Sequence, residues 1–199
     1  MDEQELIFQA KSGDTDAFEQ LISPYMTKVY NIALGILGSV ADADDAAQDA
    51  FIKAYRYIRG FEGNSSFYTW LYKIVYNCCL DAVRKKKRRP FGFLSGNKVT
   101  DKDGNETEKE IIDTSPLPEE IFIRRETQEQ IRLAISRLDE NYSSIIILRD
   151  IEGLSYDDIS KILGISLGTV KSRLSRAREN LKNKIISDFP ELLNNYGVK

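Results

Sequence analysis

Apolar residues recur every three or four positions through most of the chain, a spacing that places them on one face of an α-helix. Near the amino terminus this period runs over residues 3–22. Gly13 followed by Asp14 predicts a break within that stretch, and Pro24 predicts a kink or boundary after it. The same period then resumes and continues to Gly38. The pattern therefore predicts an all-α fold.

Two more helical segments are predicted in the first half of the chain, over residues 42–58 and 67–84. Residues 59–66 between them contain two glycines and several small polar residues, which predicts a loop that exposes backbone donors. The side chains expected to pack inward from the first segment include Ala46, Ala50 and Tyr57.

The second half begins with helical patterns that start at Pro118 and Tyr142. Residues 91–117 before it lack a sustained period, and they are rich in acidic, small and turn-forming residues. A structureless stretch of this length is uncommon inside one compact domain. We therefore predict two small helical domains, 1–90 and 118–199, joined by a flexible acidic linker.

A helix-turn-helix is predicted at the end of the second domain. Ser155 and Asp158 have the spacing of a capping box at the start of one helix, Gly164 suits its end, and Ser166 can cap the next helix. The second helix carries an apolar stripe made of Val170, Leu174, Ala177, Leu181 and Ile185.

The opposite face of that helix is short, polar and cationic, which suits the major groove of DNA. Arg176 can reach base edges, and the cations at the sides can meet the phosphates. The alternative is a solvated cationic face on an ordinary helical hairpin. The candidate DNA contacts are Ser166, Thr169, Lys171, Ser172, Arg173, Ser175, Arg176 and Arg178.

An acidic, helically spaced row on the segment 42–58 is a candidate protein-binding face. Its members are Asp42, Asp45, Gln48 and Asp49. Helix capping and solubility would also explain these carboxylates. Carboxylates on one exposed helix face do not enclose a metal ion, so we predict no metal or catalytic site here.

The loop 59–66 and the helix after it combine aromatic rings, small polar residues and a basic end. Aromatic faces can stack unpaired bases while cations hold the backbone, so this region is a candidate surface for single-stranded DNA. The alternative is an aromatic core helix with a solvated basic tail. The candidate contacts are Arg59, Phe61, Asn64, Ser65, Ser66, Phe67, Tyr68, Trp70, Lys73, Asn77, Arg84 and Lys85.

Composition excludes several kinds of site and function. The chain has 199 residues, a formal net charge of -3 and no histidine, which excludes the usual zinc-ligand sets and histidine general bases. Its two cysteines, Cys78 and Cys79, are adjacent and are expected to be buried or half-buried. Neither a secretory leader nor a run of roughly 20 apolar residues is present, so we expect a cytoplasmic protein without membrane insertion, cofactor or small-molecule substrate.

Three segments together give the chain a family resemblance: residues 42–55, 67–77 and 153–178. In this order they resemble the bacterial sigma factors of the extracytoplasmic-function class, which have only the second and fourth sigma domains. The resemblance implies that domain 1–90 binds core RNA polymerase through the acidic row and opens the minus-ten promoter element as single strands. It implies that domain 118–199 reads the minus-thirty-five element as duplex. It also implies an anti-sigma partner and a linker that enters the polymerase cleft.

Two other classes fit parts of the pattern. A transcriptional regulator could bind an operator through the same helix-turn-helix, but it would not need the basic aromatic helix 67–84. An enzyme acting on nucleic acid is the less favoured class, because the acidic row cannot enclose a metal.

Overall fold

The computed structural model describes residues 2–88 and 118–192, and its regular elements there are helices. The all-α prediction is confirmed. The helices are α1 (Glu3–Ser12), α2 (Thr15–Ile22), α3 (Met26–Leu37), α4 (Val40–Tyr57), α5 (Phe67–Arg88), α6 (Pro118–Ser136), α7 (Glu140–Ile146), α8 (Tyr156–Leu163) and α9 (Leu167–Asp188). Short 3-10 turns occupy Ser23–Tyr25 and Ile58–Gly60, and α7 continues into a π-helical turn over Ile147–Ile151.

Local sequence explains where the first helices begin and end. Gly13 ends α1 with a φ of 100°, a conformation that costs glycine little. The Asp14 carboxylate then accepts hydrogen bonds from the amides of Asp16 (2.9 Å) and Ala17 (3.1 Å), which starts α2. The predicted break is therefore confirmed. Ser39 caps α4 by accepting a hydrogen bond from the Asp42 amide at 3.4 Å.

The first half of the chain packs α3, α4 and α5 around a common core. Ala46 and Ala50 are buried as predicted. The prediction for Tyr57 is wrong, because this side chain is 63% exposed. Helix α4 ends at Tyr57 and a 3-10 turn follows. Because the backbone changes direction there, Ile58 is the residue that packs into the core, and it is only 1% exposed.

The second half is built around α7 and its π-helical turn. Residues 143–148 are all buried there, and α7 packs against α9. Asp139 caps α7 by accepting a hydrogen bond from the Asn141 amide at 3.0 Å. That backbone hydrogen bond is the main reason that the pKa of Asp139 lies below its usual value.

The predicted linker, residues 91–117, lies outside the described residues. On either side of it, the two described stretches contact each other. Helix α5 packs on α8, while α3 packs on α6, α7 and the π-helical turn. The buried residues of both halves consequently form one continuous hydrophobic cluster.

Candidate functional site

Helices α8 and α9 form the predicted helix-turn-helix. The Ser155 hydroxyl accepts a hydrogen bond from the Asp158 amide at 3.1 Å, and this caps the start of α8. Gly164 ends α8 with a φ of 66°, a left-handed conformation. Ser166 then caps α9 by accepting a hydrogen bond from the Thr169 amide at 3.2 Å. Each turn signal predicted from the sequence therefore has the expected local geometry.

Helix α9 turns its apolar stripe inward and leaves its polar face available. Val170, Leu174 and Ala177 are buried, whereas Leu181 and Ile185 are half-buried. On the polar face, Thr169 and Arg173 are half-buried, and the exposed residues are Ser166, Lys171, Ser172, Ser175, Arg176 and Arg178. The face can therefore approach a nucleic acid through short hydroxyls and long cations.

The cations of α9 differ in the partners they already have. Arg178 donates to Asp150 through both Nε (3.0 Å) and Nη2 (2.6 Å), and Arg173 Nη1 lies 3.4 Å from the Asn141 side-chain oxygen. Lys171 and Arg176 form no ion pair within the described residues. Arg178 thus helps to fix α9 against the π-helical turn, and its role as a phosphate contact stays a prediction.

The acidic row of α4 lines an open groove between α4 and α5. Asp45, Gln48 and Asp49 are exposed in this groove, and Asp42 is half-buried. Lysines face the carboxylates, since Lys86 Nζ lies 3.1 Å from an Asp42 oxygen. The other lining residues include Lys53, Cys78, Asp81, Ala82 and Lys85. The groove therefore has mixed charge, with Asp45 and Asp49 unpaired among the described residues.

The two cysteines are free thiols and buried, as expected. Burial raises the pKa of Cys79 to about 12, and burial is also the main reason that the pKa of Cys78 is raised. Both groups are therefore protonated thiols at neutral pH, which are poor nucleophiles.

The loop 59–66 lies over a cluster of aromatic rings. The ring centroids of Phe61 and Phe67 are 6.0 Å apart, and those of Phe61 and Trp70 are 5.3 Å apart. Phe61 and Phe67 are only 6% and 1% exposed, respectively, and Trp70 is half-buried. In this structure Phe61 and Phe67 cannot stack on a base, so both belong to the core and leave the set of candidate base contacts.

Comparison with known proteins decides the family. The family model for Sigma-70 region 2 matches residues 21–89, and the model for Sigma-70, region 4 matches residues 128–181. The chain is 38% identical over 179 residues to the ECF RNA polymerase sigma factor SigW of Bacillus subtilis, covering 90% of this chain and 94% of that relative. This chain belongs to the extracytoplasmic-function (ECF) sigma factors.

Further relatives and solved structures agree with that assignment. The ECF RNA polymerase sigma-E factor of Escherichia coli is 35% identical over 184 residues, covering 92% of this chain and 94% of its own. The sigma factor RpoE of Bartonella quintana, solved with the anti-sigma factor NepR, superposes with a TM-score of 0.61 at 28% identity over 86% of this chain and 98% of its own. CnrH, solved with the cytosolic domain of CnrY, shares the fold at a TM-score of 0.66 and 23% identity, covering 94% of this chain and 98% of its own.

Most of the predicted minus-ten contacts of this ECF sigma factor are exposed or half-buried, so a ligand can reach them. Tyr68 and Ser65 are half-buried. The exposed members are Arg59, Asn64, Ser66, Lys73, Asn77, Arg84 and Lys85. We call this set, with Tyr68, Ser65 and Trp70, the minus-ten surface. Its members are the predicted contacts without the two buried phenylalanines, and their role in binding DNA stays a prediction.

Sequence reasoning missed three residues at these surfaces. Lys11 of α1 donates to the Phe61 carbonyl at 2.9 Å and so holds the loop 59–66. Thr69 is buried and donates to Asp158 of the second half at 3.0 Å. Asn141 lies beside Arg173 in a shallow pocket along α9. Each contact joins residues more than thirty positions apart, for which no local pattern exists.

A search of the described helices finds none with the length and apolar character needed to cross a bilayer.

Proposed function

We propose that this ECF sigma factor acts as a non-enzymatic initiation factor whose two halves read two different forms of promoter DNA. The first half, residues 1–90, binds core RNA polymerase and captures the opened minus-ten element. The second half, residues 118–199, reads the minus-thirty-five element as duplex. The observation that carries the proposal is the presence, in one chain, of a helix-turn-helix with an open cationic face and of a separate polar and basic surface on α5.

The acidic row of α4 is the proposed contact with core polymerase. Asp45, Gln48 and Asp49 project from one side of the helix into solvent, and Asp42 lies at the end of the same groove. A carboxylate in such a position is available to a cationic surface of a partner protein and steers its approach. A helix of the partner protein could pack into the groove between α4 and α5.

The minus-ten surface is the proposed site for unpaired DNA. Asn64 and Ser66 lie exposed on the loop, and the amide of Asn64 can satisfy the hydrogen-bonding edge of a base. Lys73 and Arg84 are exposed along α5 and can follow a phosphate backbone. The buried aromatic cluster beneath them keeps the loop in position.

Helix α9 is the proposed recognition helix. Arg176 lies away from the buried stripe, so its guanidinium can extend toward the floor of the major groove. Lys171 and Arg173 lie to the sides and suit phosphates. Ser172 and Ser175 are short and let the helix come close to the bases.

An anti-sigma factor is the proposed regulatory partner, and the cytoplasm, where core polymerase and promoter DNA are found, is the proposed site of action. Support for the partner comes from a solved relative, RpoE of Bartonella quintana, whose structure contains an anti-sigma factor.

Promoter-dependent transcription is the expected result when the chain is mixed with bacterial core RNA polymerase and a promoter library. Core polymerase alone should give no defined start sites, and the mixture should give starts at a shared pair of promoter elements. A plain operator-binding regulator or a nuclease would produce no such starts. Absence of defined starts with active core polymerase would contradict the proposed function.

Replacing Arg176 with Ala is expected to cost about 1 to 3 kcal/mol on the preferred minus-thirty-five sequence and to relax discrimination at one or two base pairs. Replacing Lys171 with Ala is the matched control, because loss of a phosphate contact should weaken all sequences alike and reduce the salt slope by about one. The measurement is binding of the polymerase complex to promoters with a randomised minus-thirty-five element at two salt concentrations. If Arg176→Ala lowers the affinity for all sequences alike and keeps the parental sequence preference, Arg176 contacts a phosphate and not a base.

A further inference from the structure

Helix α1 reaches the loop 59–66, which carries part of the minus-ten surface. Lys11 Nζ donates to the Phe61 carbonyl at 2.9 Å, a contact between residues 50 positions apart. The same helix packs on the 3-10 turn at the start of the loop. Its end also meets Arg59 of the minus-ten surface, since a Cβ atom on Gly13 would lie 3.4 Å from Arg59 Nη2. Helix α1 and this loop are therefore in direct contact.

Phe61 is the residue at which the loop leaves the 3-10 turn, and it is fixed at three points. Its amide donates to the Ile58 carbonyl at 3.0 Å. Its ring is buried, with centroid distances of 6.0 Å to Phe67 and 5.3 Å to Trp70. Its carbonyl accepts the hydrogen bond from Lys11. Because that carbonyl lies in the peptide plane that leads into the loop, Lys11 helps to set the direction in which the chain continues.

The exposed part of the loop is attached at its two ends. Residues 62–65 make only local hydrogen bonds within the described part of the chain. Ser66 anchors the far end, because its hydroxyl lies 2.7 Å from Thr69 Oγ1 and its carbonyl accepts from the Trp70 amide at 3.2 Å. The hydrogen bond from Lys11 is the corresponding attachment at the near end. Its loss should therefore loosen the loop and leave α5 unchanged.

Lys11 is placed to make a strong contact with the loop. Helix α1 is fixed to the core by the buried Ile7 and Ala10, and at its start the Glu3 carboxylate accepts a hydrogen bond from the Tyr25 phenol at 2.8 Å. Lys11 forms no ion pair with any residue that the structure describes, so its charge is available to the carbonyl. Hydrogen bonds from a charged donor are stronger than neutral ones, and the helix dipole favours an ammonium group in the last turn.

We propose that Lys11 is a positioning residue for minus-ten recognition, and that helix α1, which lies outside the matched range 21–89, belongs to the promoter-reading part of the protein. Lys11 holds the loop so that the exposed Asn64 and Ser66 meet the unpaired strand in one orientation. A loop that samples several orientations binds its preferred base less tightly, because only a fraction of the population is competent. Lys11 itself does not contact DNA. The inference rests on the proposed function of the minus-ten surface.

The contact can be tested in the free chain, without DNA. Lys11→Met removes the donor, keeps most of the side-chain length and has a similar helix propensity. Amide hydrogen exchange in residues 62–66 should quicken about tenfold, while exchange in α5 stays at the parental rate. Lys28→Met is the matched control, because Lys28 is exposed on α3 and the change in charge is the same. Unchanged exchange in Lys11→Met would overturn the proposal, whatever the fate of the proposed function.

The effect on recognition is tested with the polymerase complex. Permanganate footprinting gives the rate of opening for a preferred minus-ten element and for one with a single base changed. Lys11→Met should open the preferred element about tenfold more slowly and the changed element at the parental rate, so the discrimination between them falls. Affinity for core polymerase should stay at the parental value. Lys11→Arg keeps a charged donor and should restore opening of the preferred element, and parental discrimination in Lys11→Met would overturn the proposal.

Salt dependence separates positioning from direct contact with a phosphate. Loss of a phosphate contact would reduce the salt slope of single-strand binding by about 0.7, whereas loss of a positioning residue should leave the slope unchanged. A reduced slope with intact base discrimination would therefore overturn the proposal. If circular dichroism shows that Lys11→Met does not fold, Lys11→Gln takes its place in each measurement. Failure of the parent to open any promoter, with the exchange result as expected, would point to failure of the proposed function instead.

Discussion

Replacing Asp49 with Lys is expected to weaken binding to core RNA polymerase by about 100-fold. Placing like charges together at an interface costs several kcal/mol, and about 1.4 kcal/mol corresponds to a factor of ten in affinity. Asp49 is exposed in the groove between α4 and α5 and has no ion pair within the described residues, so the substitution should act on the partner and leave the fold intact. The measurement is titration of labelled core polymerase with each variant.

Asp44→Lys provides the matched control for this result. Asp44 is exposed on the same helix, but it does not line the groove. The change in net charge is identical, so Asp44→Lys should bind core polymerase within a few fold of the parent. Equal losses for the two variants would indicate general electrostatic attraction, and parental binding by Asp49→Lys would exclude this face as the polymerase contact.

Replacing Phe67 with Ala is expected to lower the free energy of unfolding by about 3 to 5 kcal/mol. The ring is 1% exposed and lies among the rings of Phe61, Trp70 and Tyr25, whose centroids are 6.0, 5.7 and 5.7 Å away. Loss of such a side chain leaves a cavity and removes aromatic contacts that α5 needs at its first turn. Urea unfolding followed by circular dichroism measures the change.

Asn64→Ala separates stability from DNA capture on the same loop. Asn64 is exposed, and its described hydrogen bond is to Glu62 at 2.9 Å, so its removal should change the unfolding free energy by no more than about 0.5 kcal/mol. Promoter opening by the polymerase complex, followed by permanganate footprinting, should nevertheless slow. Parental stability in Phe67→Ala would show that the ring is not part of the core, and parental opening in Asn64→Ala would remove this residue from the minus-ten surface.

Sequence alone determined the all-α character of the chain, the break at Gly13 and Asp14, and the helix-turn-helix with its caps. Gly13 with Asp14, and Ser155 with Gly164 and Ser166, act on backbone groups within a few residues, so their effects are visible as local patterns. The stripe from Val170 to Ala177 is likewise set by helical spacing. The resemblance to ECF sigma factors rested on the same local segments, and the comparisons confirmed it.

Only the tertiary structure decided which side of an aromatic or charged segment faces inward. Aromatic residues occur on several sides of α5, so spacing could not separate the buried Phe67 from the half-buried Tyr68. Tyr57 shares the helical phase of Ala50, but α4 ends there and Ile58 takes the buried position. The sequence could not show that Arg178 pairs with Asp150, which lies 28 positions away. The hydrogen bonds from Tyr68 and Thr69 to Asp158, and the close approach of Gly35 to Ile147, join residues that are far apart in the chain. The placement of the two packed halves is therefore set by their whole surfaces rather than by any local pattern.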